Sequence, residues 1–356
     1  MAQQHLDPTD PAAGVVTGES LAGYLRAQAT EFLRALRLHR ETGGGPAAGA
    51  GGSVDAARAL RRSARRISGS LHTFRPLLDP DWSEEMRPEL AWLSGTLGLE
   101  HAYEGRLERL LLALHRLSGA AVFPAQAVAT TSAPANSAGP AHPAAAQERG
   151  NLTVGAAKAG ALLERQLTLA RTRAHSTALQ ALGSSRFHAV ADKVAVLASE
   201  VPLTPAAATT DLRSPAAAAE ERLTDAVTAL PLVTAGHPYN AEALVHGLSP
   251  DPAPHPQDGP WHQVRLLLRL HRYAREVLHG GQLPIEVRLL TAGQALNRHR
   301  DASEAAAAAA QAARTPRIAP ATAYALGVLH ADQRHEVEAA RFAFQQAWQK
   351  QTAKVP

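Results

Sequence analysis

The sequence predicts an all-α protein, an array of helical bundles with about ten helices. Alanine supplies 76 of the 356 residues, and it is the strongest helix former because it loses no side-chain entropy. Aromatic residues make up 4% of the chain, which is too few for the strands of a β-sandwich or barrel. Because a methyl group buries little area, stability must come from many closely packed helices.

Apolar residues at helical spacing define the elements in turn. In the first helix, Leu21, Leu25, Phe32, Leu33 and Leu36 lie on one face. Gly-rich and Pro-rich stretches end the helices, and Asp81 and Gly98 mark the starts of the third and fourth. The predicted helices cover residues 21–40, 54–74, 81–97, 98–117, 154–182, 185–199, 216–233, 261–279, 284–313 and 321–351.

The polar and Pro-rich segments predict the domain organisation. Residues 1–16 are expected to be disordered. An N-terminal helical half follows at 17–200 and contains an Ala/Pro-rich loop at 120–150, whose composition cannot bury enough apolar surface to fold. A C-terminal helical half covers 215–350.

Charge and composition exclude several classes of protein. The chain has 36 Lys+Arg, 32 Asp+Glu and 17 His, with a pI of about 9.7. Arginine greatly outnumbers lysine, which suits bidentate binding of phosphate or carboxylate, although a GC-rich genome gives the same bias. The absence of cysteine excludes disulfides, thiol nucleophiles and thiolate metal sites. With neither a secretory signal nor a membrane span in the sequence, a cytoplasmic protein is expected.

A stripe of cationic side chains occurs on two predicted helices. Arg58, Arg61 and Arg65 are spaced i, i+3 and i+7, so they share one helical face, which His72 extends. On a later helix the same spacing recurs, with one further member, in His262, Arg265, Arg269 and Arg272. A duplicated helical unit is the simplest explanation.

The second stripe lies on a helix that is apolar on nearly every other side, which indicates a packed helix. Arginines there need a partner or a water-filled groove, because an uncompensated buried charge costs several kcal/mol. The nearby acids, Glu276 and Glu286, are too few to neutralise the set. A polyanion lying between two such helices would supply the missing negative charge.

These stripes resemble the motifs of the CHAD family, the conserved-histidine α-helical domain. The first motif resembles V-H-x-x-R-V-x-x-R-R-x-R and is carried by residues 57–68; the second resembles L-H-x-x-R-x-x-x-K-R-L-R-Y and is carried by residues 261–273. With further similarity at Phe74 to Leu78, Leu179 to Arg186 and Asp301, the resemblance covers about residues 21–349, and 17–350 is expected to be one CHAD domain.

The resemblance implies two bundles related by pseudo-twofold symmetry, a basic groove or pore between them that binds inorganic polyphosphate, and association with polyphosphate granules in bacteria. The binding residues expected by position are Arg58, Arg61, Arg65, Arg66, His72, His262, Arg265, Arg269, Arg272 and Arg300. The chain departs from the motifs at Arg58, Ser68, His72, Leu270 and Ala102, and Ser68 and Leu270 each remove a cationic donor.

Three other interpretations remain open. An enzyme is disfavoured because the sequence has no phosphate-binding Gly-Lys loop, no H-E-x-x-H helix and no G-x-S-x-G elbow; no catalytic residue, metal ligand or cofactor is predicted. Binding of RNA would use the same charges, but the stripes lack interleaved aromatic residues for base stacking. The third is a granule-coating adaptor protein with a vestigial anion site.

Overall fold

A computed structural model describes residues 16–43, 50–119, 143–237, 248, 255–281 and 286–349. These residues form nine α-helices and no strand, which confirms the all-α prediction. The helices are α1 (Gly18–Gly43), α2 (Ala50–Thr73), α3 (Pro80–Leu117), α4 (Pro143–Leu182), α5 (Ser185–Ser199), α6 (Arg213–Thr228), α7 (Gly259–Leu278), α8 (Val287–Ala313) and α9 (Pro320–Gln349). None of them is long and apolar enough to cross a membrane.

Helix α3 corrects the prediction of two helices meeting at Gly98. It runs unbroken through this glycine, which is buried, and packing outweighs the cost of about 1 kcal/mol for glycine in a helix. The helix also begins one residue earlier than predicted, at Pro80, and its cap is Asp79 and not Asp81. The Trp82 amide donates to Asp79 Oδ1 at 2.8 Å, and Pro80 occupies the first turn, where its missing N–H costs nothing.

The largest other differences from the predicted boundaries are at the start of α4 and the end of α6. Helix α4 begins at Pro143, inside the predicted 120–150 loop, because a proline followed by three alanines is a strong helix start. Helix α6 ends at Thr228 and not at 233, because Pro231 follows closely. The rest of that loop, 120–142, and the N-terminal residues 1–15 lie outside the described residues.

The chain divides into two compact units, and each draws on both predicted halves of the sequence. Unit 1 comprises Met1–Leu97, Gln180–Asp225 and Leu267–Pro284; unit 2 comprises Gly98–Leu179, Ala226–Leu266 and Ile285–Pro356. The core of unit 1 is formed by large apolar side chains of α1, α2, α3 and α5, among them Phe32, Leu60, Ile67, Met86 and Phe187.

Unit 2 has a core in which alanine takes a large share. Helix α8 presents Ala305, Ala309 and Ala312 to Leu326 and Leu329 of α9. A side chain at Gly155 of α4 would collide with the backbone carbonyl of Ala321, so these two helices also approach closely. Small residues at the contacts let the helix axes approach, which is the close packing that the alanine content predicts.

Candidate functional site

The cations of α2 all lie in unit 1, in different surroundings. Arg58 is exposed and pairs with Asp55, with 3.4 Å between Nη1 and Oδ1. Arg61 is half-buried and its Nε donates to the carbonyl oxygen of Ser94 at 3.0 Å. Arg58 is therefore available to solvent, whereas Arg61 also holds α2 against α3.

Arg66 and Arg272 meet on one buried carboxylate of unit 1. Glu276, which is 4% exposed, accepts from Arg66 Nε at 2.7 Å, from Arg272 Nε at 3.0 Å and from the Tyr24 hydroxyl at 2.8 Å. Burial opposes its ionisation, but the hydrogen bond and charge of Arg66 outweigh this, and the pKa of Glu276 lies below its usual range. The Glu276 carboxylate thus forms ion pairs with two guanidinium groups.

The Glu276 cluster exists because α2 and α7 pack directly against each other within unit 1. A Cβ at Gly69 would stand 2.5 Å from Cδ2 of the Tyr273 ring and 3.3 Å from Leu270. Glycine is required there, since any side chain would displace the ring. This contact brings predicted binding residues of both motifs, Arg66 and Arg272, to the same carboxylate.

His72 closes the α2 stripe. Its Nδ1 lies 3.3 Å from an Nη2 of Arg87. Partial burial, then the charges of Arg87 and Arg222, lower the pKa of His72 below its usual value. The ring is therefore neutral at neutral pH in the free protein.

In unit 2, the predicted residues His262, Arg265 and Arg300 lie near one another. Arg265 Nε donates to Asn297 Oδ1 at 2.8 Å. Burial is the main cause that lowers the pKa of His262; the charges of Arg265 and Arg300 add to it, against the opposing charges of Asp258 and Glu304.

Acidic residues offset part of the charge in unit 2. Arg300 Nε donates to Asp301 at 2.9 Å, and Glu304 Oε2 accepts from Arg106 at 2.6 Å. Of the remaining predicted residues, Arg65 and Arg269 are half-buried and belong to unit 1. The predicted set is thus distributed over both units.

Sequence reasoning missed two residues that organise this set. Glu276 is one of the two acids predicted to be too few to neutralise the second stripe, yet it pairs with both Arg66 and Arg272. It did not name Asp258, a fully buried acid immediately before α7. A lone Asp ahead of a Gly-Pro helix start was the available signal. In the described part of the chain, no three His, Asp or Glu side chains are grouped to hold a metal ion.

Known proteins resemble this chain in sequence and in fold. The family model of the CHAD domain matches residues 27–282. The structure of PptA from Streptomyces chartreusis is 72% identical, with a TM-score of 0.75, and the match covers 94% of this chain and 99% of that one. The CHAD domain from the plant Ricinus communis is 16% identical with a TM-score of 0.51, covering 97% and 94%, and is similar in fold. A search of curated proteins finds no match.

Proposed function

Because this chain belongs to the CHAD family, we propose that it binds inorganic polyphosphate through the cationic side chains of α2 and α7. The observation that carries the proposal is the shared carboxylate: Arg66 and Arg272 contact one Glu276, so this helix contact holds one more positive charge than negative. A bound polyanion would supply the missing negative charge. The proposed role is binding without catalysis.

The chemistry of the set suits a polymer of phosphates. Guanidinium groups donate two parallel hydrogen bonds to phosphate oxygens, and donors spaced along a helix can contact successive phosphates. Arg58 and Arg272 are the more exposed arginines of the unit 1 set. The motif position at Leu270 has a packing reason to differ, because this leucine is buried beside Gly69 of α2, where an added Cβ would stand 3.3 Å from its Cδ2.

Filter retention of long-chain polyphosphate, in competition with RNA of equal total charge, tests the proposal. We expect polyphosphate to be retained in preference to RNA, because the stripes offer guanidinium groups and no aromatic platform for bases. With about five phosphate contacts, affinity should fall about a hundredfold between about 50 and 200 mM salt. Retention of RNA in preference to polyphosphate would replace the proposal with nucleic-acid binding.

Binding is expected to strengthen as pH falls, through His72 and His262. Both rings have a lowered pKa in the free protein, and a bound polyanion raises it, so binding takes up protons. Polyphosphate affinity should be constant at high pH and should rise as the pH falls through the histidine pKa of the bound protein. It should level off once the pH is below the histidine pKa of the free protein. A difference of about one pKa unit gives about a tenfold rise per histidine.

The measurement is polyphosphate affinity from pH 5 to pH 8. A His72→Gln, His262→Gln double variant serves as the comparison and should give a flat profile. A flat profile in the wild type, or an equally steep one in the double variant, would contradict the assignment of these rings.

A further inference from the structure

Asp258 is a buried acid of unit 2 with several hydrogen-bond partners. It lies directly before α7, is 0% exposed, and accepts hydrogen bonds from three side chains of α8 and α9. Arg334 donates to both carboxylate oxygens, at 2.7 and 3.2 Å, and Arg341 donates to Oδ1 at 2.7 Å. The Ser303 hydroxyl donates to Oδ2 at 2.5 Å. The family model ends at residue 282, so all three partners lie beyond the region it matches.

His299 is held neutral within this cluster. Its Nε2 lies 3.6 Å from Asp258 Oδ1 and accepts from Arg341 Nε at 3.3 Å. Burial lowers the pKa of His299 to about 4. The charges of Asp258 and Glu338 then balance those of Arg334 and Arg341.

The same cluster clamps the first turn of α7. The fully buried Trp261 stacks on His299, with 5.6 Å between ring centroids, and Phe344 meets its edge at 5.7 Å. The Arg341 guanidinium lies over the Trp261 ring at 5.3 Å. His262, the next residue, stands edge-on to His299 at 5.5 Å. The position of His262 is therefore set by contacts that converge on Asp258.

We infer that Asp258 is a positioning residue of the proposed polyphosphate site: it fixes the first turn of α7, and its negative charge favours protonation of His262 when phosphate binds. This inference rests on the proposed function. His299 contributes a neutral ring, and His262 is the member of the pair that takes up the proton.

The charged groups around His262 explain how Asp258 affects protonation of this ring. The groups that act on the ring from α3, α7, α8 and the residue before α7 are Asp258, Arg265, His299, Arg300 and Glu304, with Arg106 bound to Glu304. Among the described residues, removal of the Asp258 charge leaves Glu338 as the one acid that compensates Arg334 and Arg341. The local potential becomes more positive, and protonation of His262 becomes harder.

The first measurement is an NMR titration of the histidine rings in the free protein. In the wild type, His262 should titrate at a higher pH than His299. In Asp258→Asn, the midpoint of His262 should move down by about one pH unit. Glu338→Gln is the matched control: it removes one buried acid from the same cluster, next to Arg341, and should change the His262 midpoint much less.

The direction in which the His262 midpoint moves in Asp258→Asn distinguishes an effect of the lost charge from a general loosening of the Asp258 cluster. Burial is the main cause of the lowered pKa of His262, so loosening of the cluster would raise the midpoint toward its usual value. A raised or unchanged midpoint in Asp258→Asn would overturn the inference. If that variant does not fold, the wild type alone still decides, because a His299 that titrates at or above the pH of His262 overturns it as well.

Polyphosphate affinity gives the second measurement. Asp258→Asn should bind about three- to tenfold less tightly than the wild type at pH 5.5, and equally at pH 8, where His262 is neutral in both. Equal losses at both pH values would mean that Asp258 only fixes the first turn of α7, and would overturn the inference that its charge assists binding through His262. If the wild type binds no polyphosphate, the proposed function fails, and the ring titration in the free protein still judges the role of Asp258.

Discussion

The Arg58→Glu, Arg272→Glu double variant is expected to bind polyphosphate about a hundredfold less tightly than the wild type. Each reversal removes a charge-assisted hydrogen bond worth about 1.5 kcal/mol and adds a repulsive charge, and about 1.4 kcal/mol corresponds to a tenfold loss. The two side chains are 48% and 58% exposed, and Glu276 keeps Arg66 and Tyr24 as partners, so the fold should persist. Filter retention at fixed salt and pH measures the loss.

The matched control is Arg37→Glu, Arg173→Glu, which changes the net charge equally at exposed positions outside both stripes. It should bind within about threefold of the wild type, since distant exposed charges are largely screened. Equal losses in the two double variants would mean that affinity depends on the net charge of the protein and not on the stripes.

We propose that the protein associates with polyphosphate granules as a consequence of binding. If a fluorescent fusion of the Arg58→Glu, Arg272→Glu variant still coats granules, the result would favour the adaptor interpretation.

Glu276→Gln is expected to lower stability while leaving polyphosphate affinity intact or raised. The substitution breaks a buried ion pair with Arg66 and leaves that guanidinium uncompensated, at a cost of about 3 kcal/mol in the free energy of unfolding. It also removes the acid that competes with phosphate for Arg66 and Arg272. Urea unfolding measures the first effect, and filter retention measures the second.

Glu84→Gln is a close control for this prediction. Glu84 also binds two arginines, Arg75 and Arg87, each at 2.8 Å, but it is 45% exposed, so its loss should cost less than about 1 kcal/mol. Added polyphosphate should restore stability to Glu276→Gln more than to the wild type, because binding supplies the missing negative charge. A large loss of affinity in Glu276→Gln would mean that the carboxylate positions the arginines for binding.

Local sequence signals were sufficient to locate most of the helices. Apolar spacing located α1, α2, α5 and α7 closely, because each has one buried face. The errors occurred where a local signal competed with packing. Gly98 resembles a helix end, yet it is buried in the middle of α3.

The candidate site was predictable along each helix but not between helices. The spacing of Arg58, Arg61 and Arg65 is a property of one helix and can be read directly. The partnership of Arg66 with Glu276 joins residues 210 positions apart, and it depends on the contact of Gly69 with Tyr273. The Asp258 cluster likewise joins segments that only the tertiary fold brings together.

The alanine-rich face of α8 gives unit 2 an asymmetric response to mutation. A core of leucine and phenylalanine is damaged mainly by truncation, which leaves cavities. At Ala305, Ala309 and Ala312 there is almost nothing to truncate, and every common replacement except glycine adds atoms to a filled contact. The permitted residues at these positions are therefore set by an upper limit on size, and sequence variation in unit 2 should be narrowest where the side chains are smallest.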